Sequence, residues 1–172
     1  MHLRSATRSD LGLLRYWHTK PHVIAAVGDF AHADWQAELA HSPDWRELLI
    51  AESDERPVGF VQIIDPAREE TQYWGNVGTG VRAIDVWIGE EADLGRGYGT
   101  QMMRLALARC FADPTVNTVL IDPLASNMRA RRFYERLGFE PVGRRVFGTD
   151  ECFVYRLERR AWKDPRGAQR RF

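Results

Sequence analysis

The chain has little cysteine, no long apolar run and no net charge, and each absence removes a class of protein. Cys110 and Cys152 are its two cysteines, and neither belongs to a C-x-x-C pair. A disulfide framework and a cysteine-based zinc site are therefore excluded as organising devices, and Cys110, on an apolar helical stripe, is expected to be a buried thiol. No stretch reaches the length of a membrane span, and Met1-His2-Leu3-Arg4-Ser5 lacks a signal-peptide core. A cytoplasmic protein without membrane contact is expected. Repeats and low-complexity blocks are absent too, which argues against a solenoid. His18 and His22 have the spacing of a metal pair, but Pro21 falls between them and no third ligand is near, so no metal is expected. Ser126 has no G-x-S-x-G setting, which excludes a serine hydrolase elbow. Arg129, Arg131 and Arg132 lie on one short polar helix face without a second basic element, so no nucleic acid is expected.

What remains is 172 residues, 44% hydrophobic and 28% charged, enough for one well-cored domain. We expect a single domain over residues 1–161 and a frayed basic tail over 162–172, in a monomer or homodimer. The zero net charge hides a split. Residues 1–95 hold 16 acidic and 8 basic side chains, and residues 96–172 hold 8 and 16. Such a division suits a protein that binds a phosphate-bearing ligand with its second half and a cation with its first.

Periodicity gives the elements. A short strand at 3–6 precedes a capping-box-like Thr7-x-x-Asp10 and a helix carrying Leu11, Leu14 and Trp17, which Pro21 interrupts. Another short helix is expected at 34–39. Strands at 48–51 and 57–64 read as a hairpin around a polar turn. Residues 65–80 form a long loop, and loops of that length in compact domains are often functional. In the strand 81–89, Ile84, Val86 and Ile88 share the face expected in the core, while Ala83, Asp85 and Trp87 share the other. Helix 97–112, strand 116–121, a helix from Ser126 or Asn127 to Leu137 and strands near 139–147 and 151–158 complete an α/β (α+β) domain. It has a mixed central sheet of six or seven strands flanked by about four helices.

The most informative stretch is Leu94-Gly95-Arg96-Gly97-Tyr98-Gly99-Thr100, between a strand and the amphipathic helix. A glycine-rich turn opening a helix aims unpaired N–H groups and the positive end of the helix dipole at one spot, a ready site for pyrophosphate. Asp85 is the sharpest single residue, because a carboxylate midway along an apolar strand must find partners or pay for desolvation. It is either chemical or a structural carboxylate held by an arginine such as Arg82. Tyr134 lies on the apolar stripe of its helix, as core packing or as a phenol placed for proton transfer. Asp122 before Pro123 reads as turn chemistry, and Asn127 as a helix cap that could also touch a ligand.

The glycine-rich turn, followed by Asn127-Met128-Arg129-Ala130 with Tyr134-Glu135 and Gly138-Phe139, resembles the acyl-CoA-binding core of the GCN5-related N-acetyltransferases (GNAT). Within that family the chain is most similar to the aminoglycoside 6′-N-acetyltransferases, from about Arg8 to Arg160. Gly80-Val81-Arg82-Ala83-Ile84-Asp85, Asp113-Pro114 and Asp122-Pro123 carry the likeness, as does Leu94, where the wider family has Gln or Arg. The resemblance implies the GNAT fold, acetyl-CoA as co-substrate and a small polycationic amine as acceptor. It implies cofactor contacts from Leu94, Gly95, Arg96, Gly97, Tyr98, Gly99 and Thr100, with Asn127 and Arg129, and pairing of the pantetheine arm along Trp87 and Ile88. Asp85 would face the amine, Tyr134 would protonate the departing thiolate, and Asp122 and Glu70 would hold the cationic sugar. Members commonly carry a tryptophan pair after the histidine near position 22, where this chain has Ala25-Ala26-Val27. Other acceptors of the same chemistry are a siderophore lysine precursor or a protein N-terminus. A non-catalytic CoA-binding sensor is the alternative outside enzymes.

Overall fold

The computed structural model describes residues 1–41 and 43–162. Seven strands form one sheet: β1 (His2–Ser5), β2 (Arg46–Ser53), β3 (Arg56–Ile64), β4 (Val81–Ile88), β5 (Thr118–Ile121), β6 (Glu140–Phe147) and β7 (Asp150–Glu158). Their spatial order is β1-β2-β3-β4-β5-β7-β6, and among the described residues only the β4–β5 pair is parallel. The α-helices are α1 (Leu11–Trp17), α2 (Pro21–Val27), α3 (Trp35–Ala40), α4 (Tyr98–Cys110) and α5 (Met128–Arg136).

The helix α2 adds to the four expected from the sequence. Pro21 interrupts the helical run as expected, with Lys20 extended before it, and it also occupies the first turn of a new helix, where a missing N–H costs no hydrogen bond. Trp162, expected at the start of a frayed tail, packs against Phe111 with ring centroids 6.2 Å apart. Residues 163–172 of that expected tail lie outside the described residues.

Both faces of the sheet are covered, so β3 is buried almost continuously rather than at alternate positions. One face packs Leu49, Val61 and Ile84 against Met102, Met103, Ala106 and Leu107 of α4 and Tyr134 of α5. The other packs Ile50, Phe60 and Trp87 against Leu14, Trp17, Val23 and Trp35 of the N-terminal helices. Alternation along β4 falls as the sequence predicts, with Ile84, Val86 and Ile88 on the α4 side and Trp87 on the other.

What positions the site is a divergence of strands. β4 and β5 pair only at Val81–Thr118, Arg82–Val119 and Ala83–Leu120. β4 then continues to Ile88 along β3, while β5 stops at Ile121 before Asp122-Pro123. Beyond Pro123 the chain follows β7 instead, with Ala125 N–H donating to Glu151 O at 2.7 Å and Phe153 N–H to Pro123 O at 3.0 Å. From Ile84 onward, one edge of β4 has no neighbouring strand among the described residues, and a cleft opens there.

Candidate active site

Two connected depressions occupy this cleft. The first is a groove of about 590 Å³ that runs along Val86, Trp87 and Ile88, past Leu94, Gly95, Gly97, Gly99 and Thr100, to Ser126, Asn127, Arg129, Phe133, Tyr134 and Arg136. Gly97 caps α4 in the left-handed region (φ 84°), and the space where a side chain would start is open. The first-turn N–H groups of α4 have no intrahelical partner, and Gly97, Gly99 and Thr100 at this helix start line the groove. Asn127 is the N-cap of α5, its Oδ1 accepting from Ala130 N–H at 3.0 Å. Arg129 and Arg136 add positive charge, while the unpaired edge of β4 offers main-chain donors and acceptors to an extended ligand.

Two residues expected in this groove do not line it. Tyr98 packs partly buried against the α4 core, and Arg96 is drawn to the buried Asp93 at 3.4 Å and lies over the Tyr98 ring. Asp93 is held chiefly by Arg56, through contacts of 2.6 and 3.0 Å, which keeps its carboxyl below the usual range. His22, which sequence reasoning assigned no role, also lines the groove, and its Nε2 stands 3.1 Å from the carbonyl of Ile88. Among the described residues no group of three or more metal-ligating side chains occurs.

The second depression is a cavity of about 270 Å³ whose lining includes Asp85, Asp122, Glu69, Asp150, Gln62, Tyr73, Trp45, Trp74 and Phe30. It shares Ala26, Val86, Trp87 and Tyr134 with the groove, so these four residues form the junction. Ala26 is small, and aromatic lining comes from Trp45, Trp74, Trp87 and Phe30 on other elements.

Asp85 and Asp122 meet here because β4 and β5 point toward a common space as they diverge. Burial raises both carboxyls above their ordinary range, and the proximity of Asp85 raises Asp122 further. Among the described residues Asp85 has no arginine partner. Arg82 points to the opposite side of the strand and pairs with Asp65 at 3.1 Å and Asp113 at 3.5 Å. The partner of Asp85 is Gln62, whose Nε2 donates to Oδ2 at 3.2 Å. Asp122 accepts from the Tyr73 hydroxyl at 2.7 Å. Tyr134 is buried, and among the described residues its hydroxyl has no hydrogen-bond partner; burial, then the two aspartates, hold its proton on. Cys152 lines the same wall with its thiol pushed up to about 12 by burial.

Glu70 is exposed and lines neither depression. Its neighbour Glu69 lines the cavity and accepts from the backbone N–H groups of Thr71 and Tyr73, both at 2.8 Å. Against burial, these bonds and that of the Thr71 hydroxyl keep its carboxyl low. The cavity thus holds four carboxylates and one guanidinium, Arg46, itself paired with Glu38. Asp122 and Asp150 come from the basic half of the chain, so the linear charge split does not map onto two separate sites.

Comparison with known proteins agrees with this arrangement. Residues 6–147 match the acetyltransferase (GNAT) domain. The chain belongs to the GNAT acetyltransferase family. It is 32% identical over 166 residues to an aminoglycoside N(6′)-acetyltransferase type 1 of Klebsiella pneumoniae, covering 92% of this chain and 82% of the relative. A kanamycin resistance protein of Rhizobium radiobacter is 41% identical over 81 residues, 47% of this chain and 74% of that one. The crystal structure of aminoglycoside acetyltransferase AAC(6′)-Ib in complex with coenzyme A superposes with a TM-score of 0.83 at 28% identity, over 96% of this chain and 98% of that one. The GNAT fold read from the sequence is therefore the observed one, and the protein is a GNAT enzyme similar to the aminoglycoside 6′-N-acetyltransferases.

Among residues that the sequence did not single out, Gln62 had a visible signal. It is the one polar side chain in the run Pro57-Val58-Gly59-Phe60-Val61-Gln62-Ile63-Ile64. Tyr73 and Asp150 carried none, because a loop and a strand end place them by tertiary contact alone.

Proposed function

We propose that the protein transfers an acetyl group from acetyl-CoA to the 6′-amine of an aminoglycoside or a closely similar polycationic amine, by direct attack with both substrates bound. The observation that carries this is the junction at Tyr134, where a groove suited to a phosphopantetheine meets a cavity with four carboxylates. Relatives named for aminoglycoside acetylation, and a related structure holding coenzyme A and kanamycin, support the same assignment.

Acetyl-CoA supplies an activated acetyl thioester. The groove residues fit such a ligand: the open left-handed Gly97, the N–H groups of Gly99 and Thr100, Arg129 and Arg136 toward its phosphates, and the free edge of β4 along its arm. An alkyl ammonium must lose a proton before its nitrogen can attack. Asp85 holds the ammonium and takes that proton, for which its raised affinity suits it better than an ordinary aspartate. Asp122 holds positive charge on the acceptor. The new N–C bond forms as the C–S bond breaks, the Tyr134 hydroxyl supplies the proton that the departing sulfur takes up, and the nitrogen, left cationic by bond formation, returns its second proton to the Tyr134 oxygen, directly or through water, to give the neutral amide. Holding both reactants in line supplies much of the acceleration.

A protein N-terminus would bring one ammonium and a lysine precursor at most two to this cavity, which has carboxylates for more. A panel of amines assayed for CoA release tests the proposal. Multi-amine sugars with a 6′-amine should be the best substrates, and equal turnover of simple monoamines would remove the aminoglycoside assignment.

A further inference from the structure

Gln62 and Asp85 are direct partners across the β3–β4 ladder, so their side chains share one face of the sheet. Gln62 is 7% exposed and lines the acceptor cavity. One end of its amide is engaged, Nε2 donating to Asp85 at 3.2 Å, and the other is not: Oε1 is buried and, among the described residues, has no hydrogen-bond partner. A buried amide oxygen left unpaired costs about 1–3 kcal/mol, so such groups are rare unless they serve a second state. A carboxamide is nearly symmetric in shape, and turning about its last bond exchanges N–H donor and oxygen acceptor without changing the volume filled. With no partner at the far end, nothing there opposes the turn. The proton on Asp85 then decides which end faces it.

We propose that Gln62 is the positioning residue of Asp85: its amide donates to the carboxylate and, once Asp85 has taken the proton of the acceptor ammonium, turns end for end to accept from the carboxylic acid. The transfer is complete on both sides. The ammonium loses one proton and keeps its electron pair, Asp85 Oδ2 gains that proton, and the new O–H points at Gln62 Oε1. In either state Asp85 keeps one fixed hydrogen bond and one orientation toward the acceptor. Asp122 from β5, Tyr134 from α5, Cys152 from β7 and Tyr73 from the long loop surround the same carboxyl, and none of them makes a hydrogen bond to it among the described residues. The inference rests on the acetyl-transfer reading for its catalytic consequence, though not for the coupling of the two side chains.

The test is a double-mutant cycle with an independent spectroscopic arm. Gln62→Met keeps length and bulk but can neither donate nor accept. It should lower kcat at least about tenfold while the KM of the amine moves less than about threefold. In an Asp85→Asn background the same change should have no further effect, because Gln62 acts only through Asp85. Additive losses would overturn the proposal. The second arm records the Gln62 side-chain amide in ¹⁵N-labelled wild-type protein, with no substrate present. Its resonances should shift with the Asp85 carboxyl carbon as pH is varied, and the shift should vanish in Asp85→Asn. An amide signal that ignores Asp85 would overturn the proposal even if Gln62→Met fails to fold. A wild-type protein that releases CoA with no amine would instead remove the acetyl-transfer reading, and the amide titration would still decide the link between the two residues.

Discussion

The hydroxyl of Tyr73 donates to Asp122 at 2.7 Å while its ring stacks on Phe147, 4.2 Å between centroids and 8° from parallel. One side chain of the long loop thus reaches both the end of β5 and the end of β6. Tyr73→Phe should keep the stack and lose the donor. A carboxylate deprived of a hydrogen bond holds its charge less readily, so the acceptor KM should rise about tenfold while the melting temperature falls by only a few degrees. An unchanged KM in steady-state kinetics would make the bond merely structural.

Asp85→Asn should leave the fold and CoA affinity intact and reduce kcat about a hundredfold or more, since the amide cannot take the amine's proton. The same substitution removes a like charge from Asp122, whose carboxyl should then titrate lower. Carbon-detected NMR of the Asp122 carboxyl checks the second effect separately from the first.

These two raised carboxyls also set a stability profile. In the folded state both hold protons above the ordinary aspartate value of about 3.8, so folding takes up protons. Their contribution is therefore fully present below that value and is lost as pH rises through the raised ones. Asp122→Asn can still accept from Tyr73 and has no charge to bury. It should melt higher than wild type at pH 8, roughly 3 °C for each kcal/mol relieved, and the gap should close toward pH 4. A gap that widened on acidification would reverse the assignment.

Gly97→Asp should abolish CoA binding in calorimetry while the protein still folds. The position needs a left-handed backbone (φ 84°), and a carboxylate there would stand where a phosphate is proposed to sit. Gly99→Asp should act alike, with its Cβ 3.6 Å from the Phe133 ring. Unchanged CoA affinity in either folded variant would move the cofactor elsewhere.

Much of this was legible in the sequence, because the strongest signals are local. The glycine-rich turn, the alternation along β4 and the Asn127 cap each follow from neighbours in the chain. Asp85 stood out because a carboxylate is costly in an apolar strand. The divergence of β4 from β5 was not legible, since it depends on where two distant segments stop pairing. Pro21 marked the break but not the helix it opens, for a related reason. The same ring breaks a helix interior and starts a helix, and only the chain before it decides which. Glu69 and Glu70 differ by one step in an irregular loop that periodicity does not order. There the hydrogen bonds of Glu69 to Thr71 and Tyr73 fix which carboxylate turns inward.

That difference gives the test of the acceptor class. If the cavity carboxylates hold a polycation, neutralising Glu69 and Asp122 together should weaken aminoglycoside binding and leave acetyl-CoA affinity unchanged, because neither residue lines the groove. Glu70→Gln should change neither, its carboxylate being exposed to solvent. Glu69 also orders the loop that carries Tyr73, so the double variant needs a melting curve and an acetyl-CoA titration beside it. Attraction between several partly exposed charges is screened over about 8 Å at physiological ionic strength, so the KM of a multi-amine acceptor should climb with salt. A monoamine of similar size, with one contact to lose, should respond far less. Acetyl-CoA should respond too, but through Arg129 and Arg136, and Arg136→Gln should flatten its salt dependence without touching that of the acceptor. Equal salt responses for monoamine and multi-amine acceptors, or normal aminoglycoside binding by the double variant, would leave acetyl transfer standing and remove the polycationic acceptor.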